Sequence, residues 1–88
     1  MGYYKTYLMK TLQKKETMQR LMWDIIVDIK WTNISTKYFG KSRSWLSQKM
    51  NGIDGNGSET KFSDEEKKIL KEGLEDLAKR IRVCANKI

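Results

Sequence analysis

The stretch GKSRSWLSQKMNG, residues 40–52, places a short polar segment between two glycines. Gly40 is able to take the left-handed backbone conformation that ends one helix and lets the next leave at a steep angle. Ser42 is a good N-cap, because its hydroxyl accepts a hydrogen bond from a free backbone N–H in the first helical turn. Gly52 lies where a helix needs a positive φ after its C-terminus. The pattern therefore predicts a helix over residues 42–51.

The two sides of this predicted helix differ in chemistry. Leu46 and Met50 are four residues apart and share one apolar face. The other side carries Ser44, Ser47, Gln48 and Asn51. The segment before the turn has Ile34, Tyr38 and Phe39 at helical spacing and offers Thr32 or Asn33 as an N-cap. Two helices joined at a glycine turn form a helix-turn-helix, which we expect over residues 32–52.

The run from Gly40 to Gly52 resembles the turn and recognition helix of the phage-repressor class of helix-turn-helix domains. In that class a glycine, a serine cap, an apolar residue six positions after the glycine and a terminal Asn-Gly recur. The resemblance implies a sequence-specific DNA-binding protein, a small bacterial or phage transcriptional regulator with the 42–51 helix in the major groove. Nearly the whole chain also resembles small proteins of unknown function from gut bacteria and their mobile elements, which implies no activity.

Three positions depart from the repressor pattern. Thr36 stands where a small alanine is usual, and Ser35 precedes it where an apolar residue is expected. Lys49 occupies a position that repressors give to a core residue, and Met50 replaces it only if the helix is rotated by one position. Such a rotation changes which side chains face a duplex.

Position by position, the repressor pattern implies three base-contacting residues and six residues that contact the DNA backbone. Arginine bonds two acceptors on guanine, and glutamine matches the edge of adenine. The base-contacting set is Arg43, Ser44 and Gln48, and the backbone-contacting set is Thr32, Lys41, Ser42, Ser47, Lys49 and Asn51. For each of these polar residues, the alternative interpretation is an ordinary solvated helix face.

The charge of the chain is unevenly distributed. The net charge is +7, and residues 1–52 hold ten Lys and Arg against three Asp and Glu, whereas residues 53–88 hold eight of each sign. A basic half suits a surface that meets phosphates, although it also suits an anionic membrane or an acidic protein. The charge distribution is therefore consistent with the helix-turn-helix but does not identify its ligand.

Several classes of function are disfavoured by composition. The chain has no histidine, and Cys84 is its single cysteine, which we interpret as a small core residue rather than a nucleophile. Oxygen-bearing residues at calcium-loop spacing begin at Asp54, but Glu59 occupies the position that requires glycine. No apolar run approaches the roughly 20 residues of a membrane span. We therefore expect a cytoplasmic protein that is not an enzyme and binds neither metal nor cofactor.

The rest of the chain predicts helices on both sides of the helix-turn-helix, since proline is absent. An N-terminal helical region over residues 1–30 comprises an amphipathic helix over residues 3–15 and a central core helix over residues 18–30. The core helix carries Met18, Leu21, Met22, Ile25, Ile26 and Ile29, with Thr17 as a candidate cap. Near this apolar sequence, Trp23 and Trp31 are expected to pack in the core.

After a glycine-rich loop over residues 53–62, a C-terminal helix is predicted over residues 63–88. Ser63 and Glu66 have the spacing of a capping box. Leu70, Leu74, Leu77, Ile81, Cys84 and Ile88 then recur at intervals of 4, 3, 4, 3 and 4. This seam either covers the helix-turn-helix or pairs in part with a second copy as a homodimer.

The fold expected is therefore a single all-α domain over residues 1–88, a small helical bundle with a helix-turn-helix and a long C-terminal helix. Double-stranded DNA is the expected partner. The main alternative is a protein-interaction adaptor on the same scaffold, because a fold does not determine its use. In that case Trp45, Tyr38 and the tyrosines of the first helix would form the contact surface.

Overall fold

The computed structural model describes residues 17–88, and in that part the chain is helical. The elements are α1 (Met18–Leu21), α2 (Trp31–Ile34), α3 (Arg43–Asn51) and α4 (Asp64–Asn86), with a π-helical turn (Ser35–Phe39) that continues α2. Over the same residues the only β structure is an isolated antiparallel bridge between Ile53 and Glu59. The all-α class and the long C-terminal helix are confirmed, whereas the helix predicted over residues 3–15 lies outside the described residues.

Helix α4 begins at the predicted capping box. The Ser63 hydroxyl accepts a hydrogen bond from the Glu66 backbone N–H at 3.1 Å, and the Glu66 carboxylate accepts one from the Ser63 N–H at 2.9 Å. Three acidic residues, Asp64, Glu65 and Glu66, occupy its first turn. They are favourable there because the N-terminus of a helix carries partial positive charge. Local sequence chemistry is sufficient to start this helix.

The single core helix predicted over residues 18–30 is wrong. Thr17 caps α1 as expected, with its hydroxyl 3.3 Å from the Arg20 N–H, but α1 ends at Leu21. From there to Asp28 the chain makes successive turns in which backbone N–H groups bond to carbonyls three residues back. Two causes favour this path. The neighbouring Ile25, Ile26 and Val27 are β-branched, and such side chains are restricted in a helix. In addition, the Trp31 indole N–H donates a hydrogen bond to the Ile26 carbonyl at 2.7 Å.

The core draws on every described element. Its buried apolar residues are Met22, Ile34, Leu46, Met50, Phe62 and Leu70. Leu46 of α3 is fully buried at the centre, and α3 packs against both α1 and α2. Trp31 is half-buried against this core as predicted. Trp23 is 53% exposed, so its predicted core position is wrong. It lies in the turn segment that follows α1.

The π-helical turn and α4 approach each other closely at Tyr38 and Gly73. A Cβ atom added at Gly73 would lie 2.9 Å from two carbons of the Tyr38 ring. The Tyr38 hydroxyl donates to the Asp76 carboxylate at 2.5 Å and accepts from the Arg80 guanidinium at 3.0 Å. Arg80 also bonds to Asp76 at 3.2 Å. Gly73 therefore leaves room for the Tyr38 ring. Asp76 and Arg80, one and two helical turns after Gly73, hold the hydroxyl of this ring by hydrogen bonds.

Only the first half of the α4 seam faces the core. Leu70 is buried and Leu74 and Leu77 pack beside it, whereas Ile81 is 59% exposed and Cys84 is exposed. The prediction that Cys84 is a core residue is therefore wrong. The core of this small domain ends near Leu77, and α4 continues past it with its apolar spacing intact.

Candidate nucleic-acid interface

The turn between the π-helical segment and α3 depends on Gly40. Its φ is +65°, in the left-handed region that residues with a Cβ rarely adopt. The backbone N–H groups of Gly40 and Lys41 both bond to the Ser35 carbonyl, which closes the preceding helix. The predicted break at Gly40 is confirmed, so one helix ends and a second begins within three residues.

The Ser35 side chain supports this turn through hydrogen bonds, and the sequence pattern did not predict this role. Ser35 is fully buried, and its hydroxyl lies 2.6 Å from the Ser42 carbonyl and 3.1 Å from the Lys41 carbonyl. A buried hydroxyl needs a hydrogen-bond partner, and these carbonyls provide it. Ser35 thus stands at an apolar position of the repressor pattern because it satisfies the turn. The signal in the sequence was a small hydroxyl residue five positions before the turn glycine.

Helix α3 has the caps and the apolar face that were predicted. The Ser42 hydroxyl accepts from the Trp45 N–H at 3.1 Å. Gly52 has a φ of +85°, and its N–H bonds to the Gln48 carbonyl at 2.9 Å. Leu46 and Met50 are the buried residues of the helix. The side that faces away from the core is therefore set by helical geometry.

The residues predicted to contact DNA differ in accessibility. Lys41, Ser42, Arg43, Ser44 and Asn51 are exposed, whereas Thr32, Ser47, Gln48 and Lys49 are half-buried. The amide nitrogen of Gln48 lies 3.8 Å from the position that a Cβ at Gly55 would occupy, so Gln48 lies beside the glycine-rich loop. The accessible polar surface is concentrated at the N-terminal end of α3 and in the turn before it.

Helix α2 begins at Trp31, before both predicted caps. Lys30 is its N-cap and makes no side-chain capping bond, so the prediction of Thr32 or Asn33 as a cap is wrong. Both residues lie in the first helical turn. The Thr32 carbonyl accepts from the Thr36 hydroxyl at 3.0 Å. Packing of Trp31 and Ile34 on the core therefore decides where this helix starts.

Lys49 is engaged within the protein. Its ammonium lies 3.3 Å from the Glu66 carboxylate and 3.0 Å from the Lys61 carbonyl, to which it donates. Only 20% of its side chain is exposed. Lys49 therefore links α3 to the start of α4, and its charge is largely neutralised there.

Trp45 closes the edge of the core beside the turn. Its ring centroid lies 5.0 Å from that of Phe39 and 6.4 Å from that of Phe62, the latter in an edge-on arrangement. The ammonium groups of Lys41 and Lys49 lie 5.9 Å and 5.7 Å from the Trp45 ring centroid, within the range of cation–π attraction. The ring is thus half-buried in contacts with the rest of the protein.

The charge around the turn has one sign. Residues 29–53 include Lys30, Lys37, Lys41, Arg43 and Lys49 and contain no acidic residue. Lys49 is paired with Glu66, whereas Lys41 and Arg43 are exposed at the start of α3. The N-terminal end of a helix adds partial positive charge of its own. Turn and helix start together form a compact, accessible positive surface.

The Glu66 carboxylate makes the free energy of unfolding depend on pH. The hydrogen bond from the Ser63 N–H has the largest effect on the pKa of Glu66 and lowers it below its usual value. The hydrogen bond and the charge of Lys49 also lower this pKa, whereas partial burial of Glu66 raises it. A lowered folded pKa means that the stabilisation is present above the unfolded pKa of Glu66 and is lost as the pH falls through the folded pKa. At neutral pH, Glu66→Gln should therefore lower the free energy of unfolding by about 0.5–1 kcal/mol.

The difference between Glu66→Gln and the parent protein is expected to shrink toward zero as the solution is acidified below the usual glutamate range. Urea unfolding at several pH values measures it, with Glu65→Gln as the matched control because Glu65 is exposed in the same first turn. A difference that stays constant with pH would contradict the role assigned to the Glu66 charge.

No group of three or more cysteine, aspartate or glutamate residues within 17–88 is arranged to hold a metal ion. The Asp54 carboxylate instead accepts the backbone N–H groups of Asn56 and Ser58, at 2.8 Å and 2.9 Å, and shapes the glycine-rich loop. None of the helices in the described part is both long enough and apolar enough to span a bilayer.

Comparison with family profiles gives a match. The sequence profile of a family described as Domain of unknown function (DUF5053) matches residues 18–88. No curated protein and no solved structure matches the chain. The matched region contains the turn, α3 and α4, and it begins at the first residue of α1.

Proposed function

The chain belongs to the DUF5053 family, and we propose that it is a sequence-specific DNA-binding protein, a small bacterial or phage transcriptional regulator that inserts α3 into the major groove. The observation that carries the proposal is the accessible positive surface at the turn and the start of α3. Its exposed residues are Lys41, Ser42, Arg43 and Ser44. They lie in a sharp turn and at the start of a helix that Leu46 anchors in the core.

The size of α3 suits this use. Its nine residues span about 13 Å at 1.5 Å per residue. The major groove of B-DNA is about 12 Å wide and admits an α-helix, whose diameter with side chains is about 10–12 Å. In helix-turn-helix complexes the N-terminal residues of the second helix contact the base edges, and the first helix crosses the backbone. Arg43 and Ser44 occupy that end of α3.

The proposed contacts follow accessibility and chemistry. Arg43 and Ser44 contact bases, and Gln48 contributes at the edge of the reading face because it is half-buried beside the loop. Lys41, Ser42 and Asn51 are exposed and contact phosphates, with Ser47 and Thr32 at the margin. Lys49 has a smaller part in DNA binding, since Glu66 and the Lys61 carbonyl hold its ammonium.

The proposal predicts salt-sensitive binding to duplex DNA. Each phosphate contact that is lost reduces the slope of log affinity against log salt by about 0.9. Lys41→Ala is therefore expected to weaken binding to all sequences and to reduce that slope by about 0.9. Arg43→Ala is expected to cost about 1–3 kcal/mol at selected sites and to relax specificity at one base pair. Fluorescence anisotropy across a salt series, on random duplex and on fragments selected from a random pool, measures both effects.

Lys79→Ala is the matched control, because it removes one exposed positive charge from α4, outside the turn and α3. This variant should bind DNA like the parent protein. A parent protein with no affinity for duplex DNA at low salt would refute the proposal. So would equal weakening by Lys79→Ala and Lys41→Ala, which would indicate attraction by net charge alone.

A protein-interaction adaptor remains the second candidate, but two of its proposed contact residues are committed elsewhere. Tyr38 is held between Gly73 and the pair Asp76 and Arg80. Trp45 packs against Phe39 and Phe62. These contacts support the reading in which the exposed polar end of α3, rather than an aromatic surface, meets the ligand.

A further inference from the structure

The described chain begins beside the C-terminal end of α3. Thr17 caps α1, and its Cγ2 lies 3.6 Å from the position that a Cβ at Gly52 would occupy. Thr17, Asn51 and Gly52 line the same groove. Asn51 is exposed and belongs to the residues proposed to contact phosphates. Residues 1–16 are therefore joined to the fold at the edge of the proposed DNA interface.

The sequence that leads into Thr17 is basic. Residues 1–16 hold four lysines and one acidic residue, so that they contribute +3 to the net charge of +7. The lysines are Lys5, Lys10, Lys14 and Lys15, and the acidic residue is Glu16. Basic arms that flank a folded domain are a common means of binding nucleic acid.

The groove beside Thr17 carries charge of the same sign as this sequence. Its charged lining residues are Lys49, Lys61 and Lys67 together with Glu59. Lys61 and Lys67 are exposed, whereas Lys49 is paired with Glu66. Repulsion between lysines opposes the return of residues 1–16 into the groove, whereas the phosphates of a duplex attract both sets of lysines.

The length of residues 1–16 is sufficient to reach DNA beyond α3. Sixteen residues span about 24 Å as a helix at 1.5 Å per residue, and up to about 50 Å when fully extended. Helix α3 spans only about 13 Å, and a duplex carries one phosphate per 1.7 Å or so of its axis. In either conformation, lysines of residues 1–16 can therefore meet phosphates outside the site that α3 occupies.

We propose that residues 1–16 form a basic arm that lies along the phosphates next to the site of α3. Its contacting residues are Lys5, Lys10, Lys14 and Lys15. Because these contacts need a bound duplex, they rest on the proposed function. Phosphate contacts carry no sequence information of their own. Helix α3 therefore selects the sequence, and the basic arm raises the affinity for every sequence.

The salt dependence of DNA binding tests the basic arm. The combined variant Lys5→Gln, Lys10→Gln, Lys14→Gln and Lys15→Gln loses four phosphate contacts, so the slope of log affinity against log salt should fall by about 3.6. Between 50 and 200 mM salt, the parent protein should then lose about 150-fold more affinity than the variant. The ranking of duplex sequences should not change. Fluorescence anisotropy measures both quantities, and a slope within about 0.9 of the parent value would overturn the basic arm.

A variant of α4 with the same loss of charge is the matched control. It combines Lys71→Gln, Lys79→Gln, Arg82→Gln and Lys87→Gln, and all four side chains are exposed. This variant should keep the slope of the parent protein. An equal fall in slope for the two variants would show attraction by net charge alone and would exclude the basic arm.

Binding by the parent protein separates the two proposals. With no affinity for duplex DNA at low salt, the proposed function fails, and the basic arm fails with it. If the parent binds and Arg43→Ala relaxes its specificity, an unchanged slope in the arm variant removes the basic arm alone. Vesicles of phosphatidylglycerol serve as a second anionic probe. Loss of vesicle binding by the arm variant, with duplex binding unchanged, would identify a membrane as the partner of residues 1–16 and would overturn the proposal.

Discussion

Gly73→Val is expected to lower the free energy of unfolding by about 3 kcal/mol, the upper part of the usual range for overpacking. The new Cβ would lie 2.9 Å from two carbons of the Tyr38 ring, and the γ-methyl groups add further bulk. The ring has little freedom to move aside, because Asp76 and Arg80 hold its hydroxyl. Urea unfolding followed by circular dichroism measures the loss.

Gly73→Ala distinguishes packing from helix propensity. Propensity alone predicts a gain of about 1 kcal/mol for alanine over glycine inside a helix. The contact with Tyr38 predicts the opposite sign, a loss of about 1 kcal/mol overall. Lys71→Val, on the exposed side of α4, is the control and should change stability by no more than about 0.5 kcal/mol. If Tyr38→Ala failed to reduce the cost of Gly73→Val, the proposed clash would be excluded.

Ser35→Ala is expected to lower the free energy of unfolding by about 0.5–1.5 kcal/mol, the usual net contribution of a hydrogen bond. The Ser42 and Lys41 carbonyls lose the hydroxyl that lies 2.6 Å and 3.1 Å from them. Both carbonyls belong to the turn that orients α3. Amide hydrogen exchange should therefore accelerate in α3 more than in α4.

Thr36→Ala is the matched control for Ser35. The neighbouring hydroxyl of Thr36 is exposed and bonds to the Thr32 carbonyl of its own helix, 3.0 Å away. Its removal should change stability by less than about 0.5 kcal/mol. Equal losses for the two substitutions would show that the buried hydroxyl does not support the turn.

Short sequence patterns predicted the local structure correctly wherever the backbone has a requirement that few residue types can meet. Ser42 and Ser63 were predicted as caps because a free N–H in a first helical turn needs an acceptor nearby. Gly40 and Gly52 were predicted as helix ends because few other residues take a positive φ. Each of these requirements is met within six residues along the chain, so no distant contact is needed to recognise it.

The candidate interface was only partly predictable. Helical geometry placed Ser44 away from Leu46, and Ser44 is exposed as the pattern indicated. Arg43 lies three residues before Leu46, on a neighbouring part of the helix surface, and is exposed because it occupies the first position of α3. The environment of Lys49 was not predictable from its position in α3, because its partners Glu66 and the Lys61 carbonyl are more than ten residues away. The pattern of the repressor class likewise carried no information about the hydrogen bonds that bury Ser35.

The sequence by itself determined the helical class, the caps, the glycine turn and the accessible basic end of α3, since each follows from interactions within a few residues. Only the tertiary structure decided that residues 22–28 leave the helix, that Gly73 receives the Tyr38 ring and that Cys84 lies in solvent. The physical reason is that the spacing of apolar residues specifies which face of a helix is apolar but not which part of the protein packs against that face. That choice depends on which distant side chains fill the small core.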